Sequence, residues 1–336
     1  MPVAKLKSPP MANPVSELLT PIRVTPPGIP PRLWERCLAG PVAEFLNRPG
    51  KRFRAKLVTL AWSLADGPGE PPATLPLVVE LLHAGSLVVD DIQDGSLQRR
   101  GKASLHRLIG VPLALNAGNW LYFWPLTLIG EMALPAAVEV KLHRMTTEAV
   151  RRCHEGQALD LTARLGDLHP SELHCVCRTV SEWKTGSLMG LAAGLGATAA
   201  GASEALVSAA VRFGVGLGVA LQMQNDLSEL SGAAGPLKHP EDLVQGRVTW
   251  PWAWAAEHLT AAAFDALQMR GIKLAAGTGD AAALAAELLE ALGPEPARPV
   301  ADALRAAESE LVATVGPHPA LVAVREEVDR LLRKYA

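Results

Sequence analysis

The sequence predicts an all-α protein, and three observations carry that reading. Hydrophobic residues fill 49% of the 336 positions while Phe, Trp and Tyr together supply only 4%, so the aromatic side chains that favour strands are scarce. Alanine and leucine run in long stretches whose apolar positions recur at three and four residues, the spacing of helices with one buried face. The breaks between these runs are short and rich in Gly and Pro, as in ADGPGEPPATLP and LGDLHPSE, which end helices without the regular turn punctuation of a β-protein. A chain this long buries a large core. No repeat and no shift in composition marks an internal boundary, so a single helical domain of ten or so helices is expected over residues 31–336.

The elements follow in order. Lysines and then SPPMANPVSELLTPIRVTPPGIPP open the chain; the proline density predicts a flexible arm over residues 1–30, without the continuous apolar core of a signal peptide. From Pro31 the helical periodicity begins. The segment PGKRFRAKL sets Lys51, Arg52 and Arg54 at a helix start, where the backbone dipole favours anions; the plain alternative is a basic surface turn. In ELLHAGSLVVDDIQDGSLQRRG, residues 80–101, an apolar helical run leads into Asp90, Asp91 and Asp94 and then Arg99 and Arg100. Helical geometry puts Asp90 and Asp94 one turn apart on one face with Asp91 beside them. Carboxylates that close repel unless a cation lies between them, and arginine binds phosphate oxygens in pairs. Acids followed by arginines therefore suggest a metal-bridged phosphate site rather than a solvated helix end.

Further on, NWLYFWPL places Trp120, Tyr122, Phe123 and Trp124 on the next core helix. Ser171 and Glu172 after Pro170, and Asp280 before AAALAAELLEAL, read as helix starts with acidic first turns. The small residues of LAAGLGATAAG suit close helix packing. LQMQNDLSEL sets Asn225, Asp226 and Glu229 in a glycine-rich apolar region, and SELSGAAGPLKHPEDLVQGRVT, residues 228–249, follows as the longest break. Loops of that length inside a helical domain are more often functional than not.

Composition also excludes. The net charge is −2 with both signs mixed along the chain, so there is no nucleic-acid footprint. Four cysteines, Cys37, Cys153, Cys175 and Cys177, are too few and too scattered for a disulfide framework, which points to a reducing compartment, by default the cytoplasm. The HCVC segment is no zinc half-site, because Cys175 and Cys177 point apart on a helix and no second pair completes four ligands. No segment supplies ~20 consecutive apolar residues free of breakers and charges, so stable membrane insertion is not expected.

GKRFR, HAGSLVVDDIQDGSLQRRG, EGQALDL, EWKTGSL and LQMQNDLSEL, in this order and spacing, resemble the head-to-tail trans-isoprenyl diphosphate synthases, the polyprenyl synthetase family. The likeness runs from about residue 45 to 255, and five motifs in order make chance similarity remote. The resemblance implies a helical bundle of the isoprenoid synthase type around a central cavity, usually a homodimer, with isoprenyl diphosphates as substrates. Two aspartate-rich motifs bind three magnesium ions there, which hold an allylic diphosphate. Carried over, Asp90 and Asp94 are metal ligands supported by Asp91, and Asn225, Asp226 and Glu229 form the second metal motif. Arg99, Lys184 and Lys238 hold the allylic diphosphate, Arg247 stands where a lysine is common, and Gln222 supports the site by hydrogen bonding. Lys51, Arg54, His83 and Arg100 match the isopentenyl diphosphate pocket. Thr185, beside the diphosphate, and Gln157 line the cavity.

Product length in that family depends on residue bulk ahead of the first motif. Gly85 and Ser86 are small, so a product longer than C15, and C20 before others, is expected, with Trp120, Phe123 or their aromatic neighbours as a deeper floor. The chain departs from the family at Ala55, Asn119, Asn225 and Glu229, and the altered second motif raises two rivals. A class I terpene cyclase of the same fold ionises an allylic diphosphate and closes it on itself; its metal triad would need a third ligand where Ala233 stands, and it has no use for Lys51, Arg54, His83 and Arg100. A non-catalytic subunit modulating another synthase would tolerate a degraded metal site, but the first motif is intact, and unpaired buried acids are costly to keep.

Overall fold

The computed structural model describes residues 25–231 and 240–333. The expected arm lies outside the described residues up to position 24, as do Lys238 and Ala233. The all-α expectation holds: the only strands among the described residues are Gln98–Arg99 and Lys102–Ala103, which pair antiparallel as a hairpin. Contacts gather the chain into two compact units, residues 1–52 with 72–133, and 53–71 with 134–336. Both are assembled from non-contiguous stretches, which is why no shift in composition announces them.

In the first unit the Leu75–Gln93 helix buries Leu77, Leu81, Ala84 and Val88, one apolar stripe at helical spacing. They pack with Phe45, Leu105 and Leu121 in one core, and burying each leucine fully contributes roughly 1.5–3 kcal/mol. The helix lies along Val111–Glu131. Their closest approach is at Gly85, where a Cβ would sit 2.8 Å from the Gly118 carbonyl oxygen and 3.1 Å from Leu121 Cβ. Gly85 is therefore small because two helices touch there, which corrects its reading as an open cavity floor. Gly95, at φ +66°, ends the helix, and the Ser96 N–H donates to the Asp91 carbonyl at 2.9 Å, closing a glycine C-cap.

The second unit is built on Phe53–Leu64, Ala136–Thr162, Ser187–Ala199 and Glu204–Leu230. Gly196, within LAAGLGATAAG, lies against Phe53–Leu64, where an added Cβ would collide with the Val58 carbonyl oxygen, the close helix packing that this segment predicts. Glu204–Leu230 is the one described helix long and apolar enough to cross a membrane; it is packed into the core through Ala209, Phe213, Leu217 and Leu227. A tryptophan core closes the unit: Trp252 meets Phe264 edge-on at 6.4 Å and Trp250 tilts against Trp254 at 5.9 Å. Asp280 caps its helix as expected, accepting from the Ala282 and Ala283 N–H groups. At Pro170 the cap is His169, two residues before the Ser171 that the sequence marks, and His169 and Glu172 form a reciprocal capping box.

Two local departures matter for the site. The expected 228–249 break begins three residues late, because Glu204–Leu230 stays helical through its acidic motif, and Glu241–Val244 adds a short helix. Between Pro170–Val180 and Ser187–Ala199 the segment Ser181–Gly186 is a π-helical turn, a wide turn that occurs mostly at functional sites.

Candidate active site

The first unit carries the first acidic motif. Asp90 and Asp91 occupy the last turn of Leu75–Gln93 and Asp94 is its C-cap, its N–H donating to the Asp90 carbonyl at 2.8 Å. Asp91 is buried; Arg99 holds its Oδ1 from Nε at 2.7 Å and from its terminal nitrogen at 2.5 Å, which also stands 3.8 Å from Asp90 Oδ2. Burial pushes the Asp91 carboxyl up while the Arg99 guanidinium pulls it down, and burial prevails. Its Oδ2 is buried without a hydrogen-bond partner among the described residues, an acceptor set beside two further acids.

Arg99 and Arg100 ride on the short hairpin. Arg100 holds the left-handed conformation, φ +54°, as does Arg52 at φ +46°, and the Arg100 guanidinium lies against Gly50, 3.1 Å from where a Cβ would stand. The basic segment ahead of Lys51 and the second arginine of the motif thus meet. His83 and Ser86 are half-buried on Leu75–Gln93, with Ser86 Oγ donating to the His83 carbonyl at 2.8 Å. Arg54 belongs to the other unit, on Phe53–Leu64. Of the aromatic residues, Trp120 and Trp124 stack at 4.8 Å against the core, while Phe123 is 68% exposed. Phe123 is therefore no interior floor: it falls on the outer face of a helix whose inner face is fixed by Ala114, Ala117 and Leu121.

The second unit carries two polar networks. In one, Thr185 Oγ1 donates to Gln222 Oε1 at 2.9 Å, Gln222 Nε2 to Asp226 Oδ1 at 2.8 Å, and the Trp250 N–H to Asp226 Oδ2 at 3.1 Å. Asp226 is buried, and burial pushes its carboxyl well up. Both its oxygens are occupied inside the protein, which departs from the expected metal role, while Asn225 is exposed on the same turn. In the other network Asp160 Oδ2 accepts Lys184 Nζ at 2.6 Å and an Arg247 terminal nitrogen at 3.2 Å, and Arg247 Nε stands 3.7 Å from Asp242 Oδ1. The π turn presents Lys184, and Gly156 makes room for the backbone of that turn, since a Cβ there would lie 2.6 Å from the Lys184 backbone nitrogen. Glu229 Oε1 accepts the Asp242 N–H at 2.9 Å. Burial first, and then Glu229, raise the Asp242 carboxyl to about 7 against the pull of Arg247. Gln157 is half-buried on Ala136–Thr162.

The structure joins Lys184 to Arg247 through Asp160, and Thr185 to Asp226 through Gln222; sequence reading misses Asp160 and Asp242. Asp160 lies inside the quoted EGQALDL motif, and that is the signal that marked it. Two thiols are held protonated: burial pushes Cys153 up to about 12 and Cys177 well above the usual thiol range.

The polyprenyl synthetase profile matches residues 35–282. A geranylgeranyl pyrophosphate synthase of Eremothecium gossypii is 31% identical over 235 residues, 66% of this chain and 71% of that protein. One from Penicillium canescens is 33% identical over 218 residues, 64% of this chain and 62% of that protein. Among solved structures, a decaprenyl diphosphate synthase from Rhodobacter capsulatus superposes with a TM-score of 0.79 over 96% of this chain and 95% of its own, at 23% identity, a likeness of fold alone. A polyprenyl synthase from Caulobacter crescentus CB15, complexed with calcium and isoprenyl diphosphate, gives a TM-score of 0.72 at 25% identity over 95% of this chain and 92% of its own. With the five motifs folded onto acid and cation networks of this kind, the chain belongs to the polyprenyl synthetase family.

Proposed function

We propose that the chain is a magnesium-dependent trans-prenyltransferase that condenses isopentenyl diphosphate with an allylic diphosphate, giving a longer trans-prenyl diphosphate, C20 before others, and diphosphate. The observation that carries it is Arg99, pinned on the buried Asp91 and turned toward Asp90, an anion-binding cation set among carboxylates. The relatives named as geranylgeranyl pyrophosphate synthases support the C20 length, in place of the argument from Gly85.

The donor set suits a hard cation. On the first unit Asp90 and Asp94 lie one turn apart and Asp91 Oδ2 is an unused acceptor; on the second, Asn225 and Glu229 offer oxygens of their own; all are oxygen donors, as magnesium prefers. Among the described residues no three His, Cys, Asp or Glu side chains are gathered so that they could hold a metal ion by themselves, so substrate phosphates would have to complete its ligands. When bound, the metal neutralises charge on the departing diphosphate. The family resemblance gives that diphosphate to Arg99 on the first unit and to Lys184 and Arg247 on the second, where Asp160 keeps the two cations together. Lys51, Arg54, His83 and Arg100 hold isopentenyl diphosphate, whose double bond attacks the allylic cation; the proton then lost passes to the released diphosphate. An apolar interior excludes water that would quench the cation. Asp226 supports the site from inside, holding Gln222 and Trp250. We read the assembly as a homodimer, supported by exposed Val111, Leu115 and Phe123 on one helix.

The test is a product assay. Purified protein with magnesium extends dimethylallyl, geranyl or farnesyl diphosphate when isopentenyl diphosphate is supplied. A hydrocarbon or cyclic alcohol formed from the allylic diphosphate alone makes the protein a cyclase, and no turnover of either kind makes it a modulating subunit.

A further inference from the structure

Arg48 is a buried charge with no place in the chemistry above. Its side chain is 0% exposed, yet all its polar contacts are met. Nε donates to both oxygens of Glu44, at 3.2 and 3.0 Å, and one terminal nitrogen reaches Glu44 Oε2 at 2.8 Å. The same fork continues into the hairpin: one terminal nitrogen donates to the Arg99 carbonyl at 3.1 Å and the other to the Ala103 carbonyl at 2.9 Å. The guanidinium lies 5.1 Å from the centre of the Phe45 ring, and Lys102 reaches round to Glu44 at 3.2 Å.

The hairpin needs such a clamp. Arg99 pairs with Lys102, so its loop is the two residues Arg100 and Gly101, both left-handed at φ +54° and +75°. This is the mirror-type turn that matches strand twist, and its first position favours Asn, Asp or Gly. An arginine there is strained, and such strain persists only where the surroundings over-determine it. With strands of two residues each, the hairpin has few ladder bonds of its own. Arg48 grips the carbonyls on both sides of the turn, and only a planar fork with several donors reaches both at once.

We propose that Arg48 is a positioning residue for diphosphate binding: from beneath the hairpin it fixes the Arg100–Gly101 turn and so aims Arg99 at the first acidic motif and Arg100 toward Gly50. It touches no substrate and acts through those two arginines. The proposal rests on the reading that Arg99 and Arg100 hold diphosphates.

Arg48→Lys keeps the charge but not the fork, and Arg48→Met keeps the bulk alone. In either variant the KM for both diphosphates rises about tenfold, the equivalent of one charge-assisted hydrogen bond, while kcat at saturation stays within about twofold. A merely structural residue would do the reverse, lowering kcat through the folded fraction and leaving KM in place. Unchanged KM values in folded variants overturn the proposal. If neither variant folds, Glu44→Gln, which loosens the fork while leaving Arg48, decides: a raised KM supports the proposal and an unchanged one overturns it. If the wild-type protein does not couple substrates, the parent reading falls, and calorimetry with inorganic diphosphate in magnesium buffer decides the role of Arg48. Weaker binding by Arg48→Lys then supports it, and equal binding overturns it.

Discussion

The buried Asp226 carboxylate accepts the backbone N–H of Trp250 at 3.1 Å, tying the second acidic motif to the first turn of the helix that carries the tryptophan core. An acid that caps a helix from a buried position is expensive to remove, because its partners lose their acceptor. Asp226→Ala should cost about 2–3 kcal/mol in urea denaturation. Asp226→Asn should cost less, about 1 kcal/mol, since burial already resists ionisation of this carboxyl and the amide oxygen keeps one of the two acceptor contacts. Equal losses for the two substitutions would contradict the capping role.

Asp160 is the hub between two cations of the second unit, accepting Lys184 at 2.6 Å and Arg247 at 3.2 Å. Asp160→Asn keeps the size and removes the charge that draws the two together. The KM for the allylic diphosphate should rise about tenfold, the cost of one charge-assisted contact, with a smaller change for isopentenyl diphosphate. Steady-state kinetics with each substrate varied in turn measures both.

How much of this was legible in the sequence depends on where the information lies. Helical periodicity, the Asp280 cap and the ordered motifs are local, and they gave the fold and most of the acids and cations directly. Asp160 and Asp242 matter through residues 24 and 5 positions away, Lys184 and Arg247, and only the fold shows that these carboxyls serve cations rather than solvent. Gly85 shows the opposite failure. Its smallness is visible, but two causes leave the same mark: an open cavity and a helix pressed against it. Arg48 carries no signal at all, because a basic residue before PGKRFR looks like one more surface charge until the hairpin folds over it.

Gly85→Ala tests which cause applies. The added methyl meets the Gly118 carbonyl oxygen at 2.8 Å, a backbone atom that cannot step aside, and overpacking of this kind costs about 1–3 kcal/mol. The expected result is a lower melting temperature with the same product chain length. A shorter product at unchanged stability would restore the cavity-floor reading.

Cysteine chemistry separates the exposed thiol from the buried ones. Cys175 is exposed, whereas the Cys153 sulfur turns inward to donate to the Lys184 carbonyl at 3.7 Å, and burial raises its thiol to about 12. Because the thiolate is the reactive form, iodoacetamide at pH 8 should label Cys175 within minutes and leave Cys153 and Cys177 unmodified until the protein is unfolded. Peptide mass mapping reads the three sites in one experiment.

The last expectation concerns the outer face of Val111–Glu131. Val111, Leu115 and Phe123 are 47%, 39% and 68% exposed, while Ala114, Ala117 and Leu121 face the core, so the helix is apolar on both sides. A surface helix with a single buried face shows polar residues outward, whereas here only Asn116 and Asn119 interrupt the exposed apolar residues between Val111 and Phe123, and exposed apolar surface of this kind marks an interaction site. If a second copy of the chain covers this patch, Phe123→Glu places a charge in a buried interface without disturbing the core contacts of Leu121 and Leu128. Light scattering should then show the wild-type mass at twice that of the variant, with the variant still folded by circular dichroism. A wild-type protein already monomeric at micromolar concentration would leave the patch to another partner.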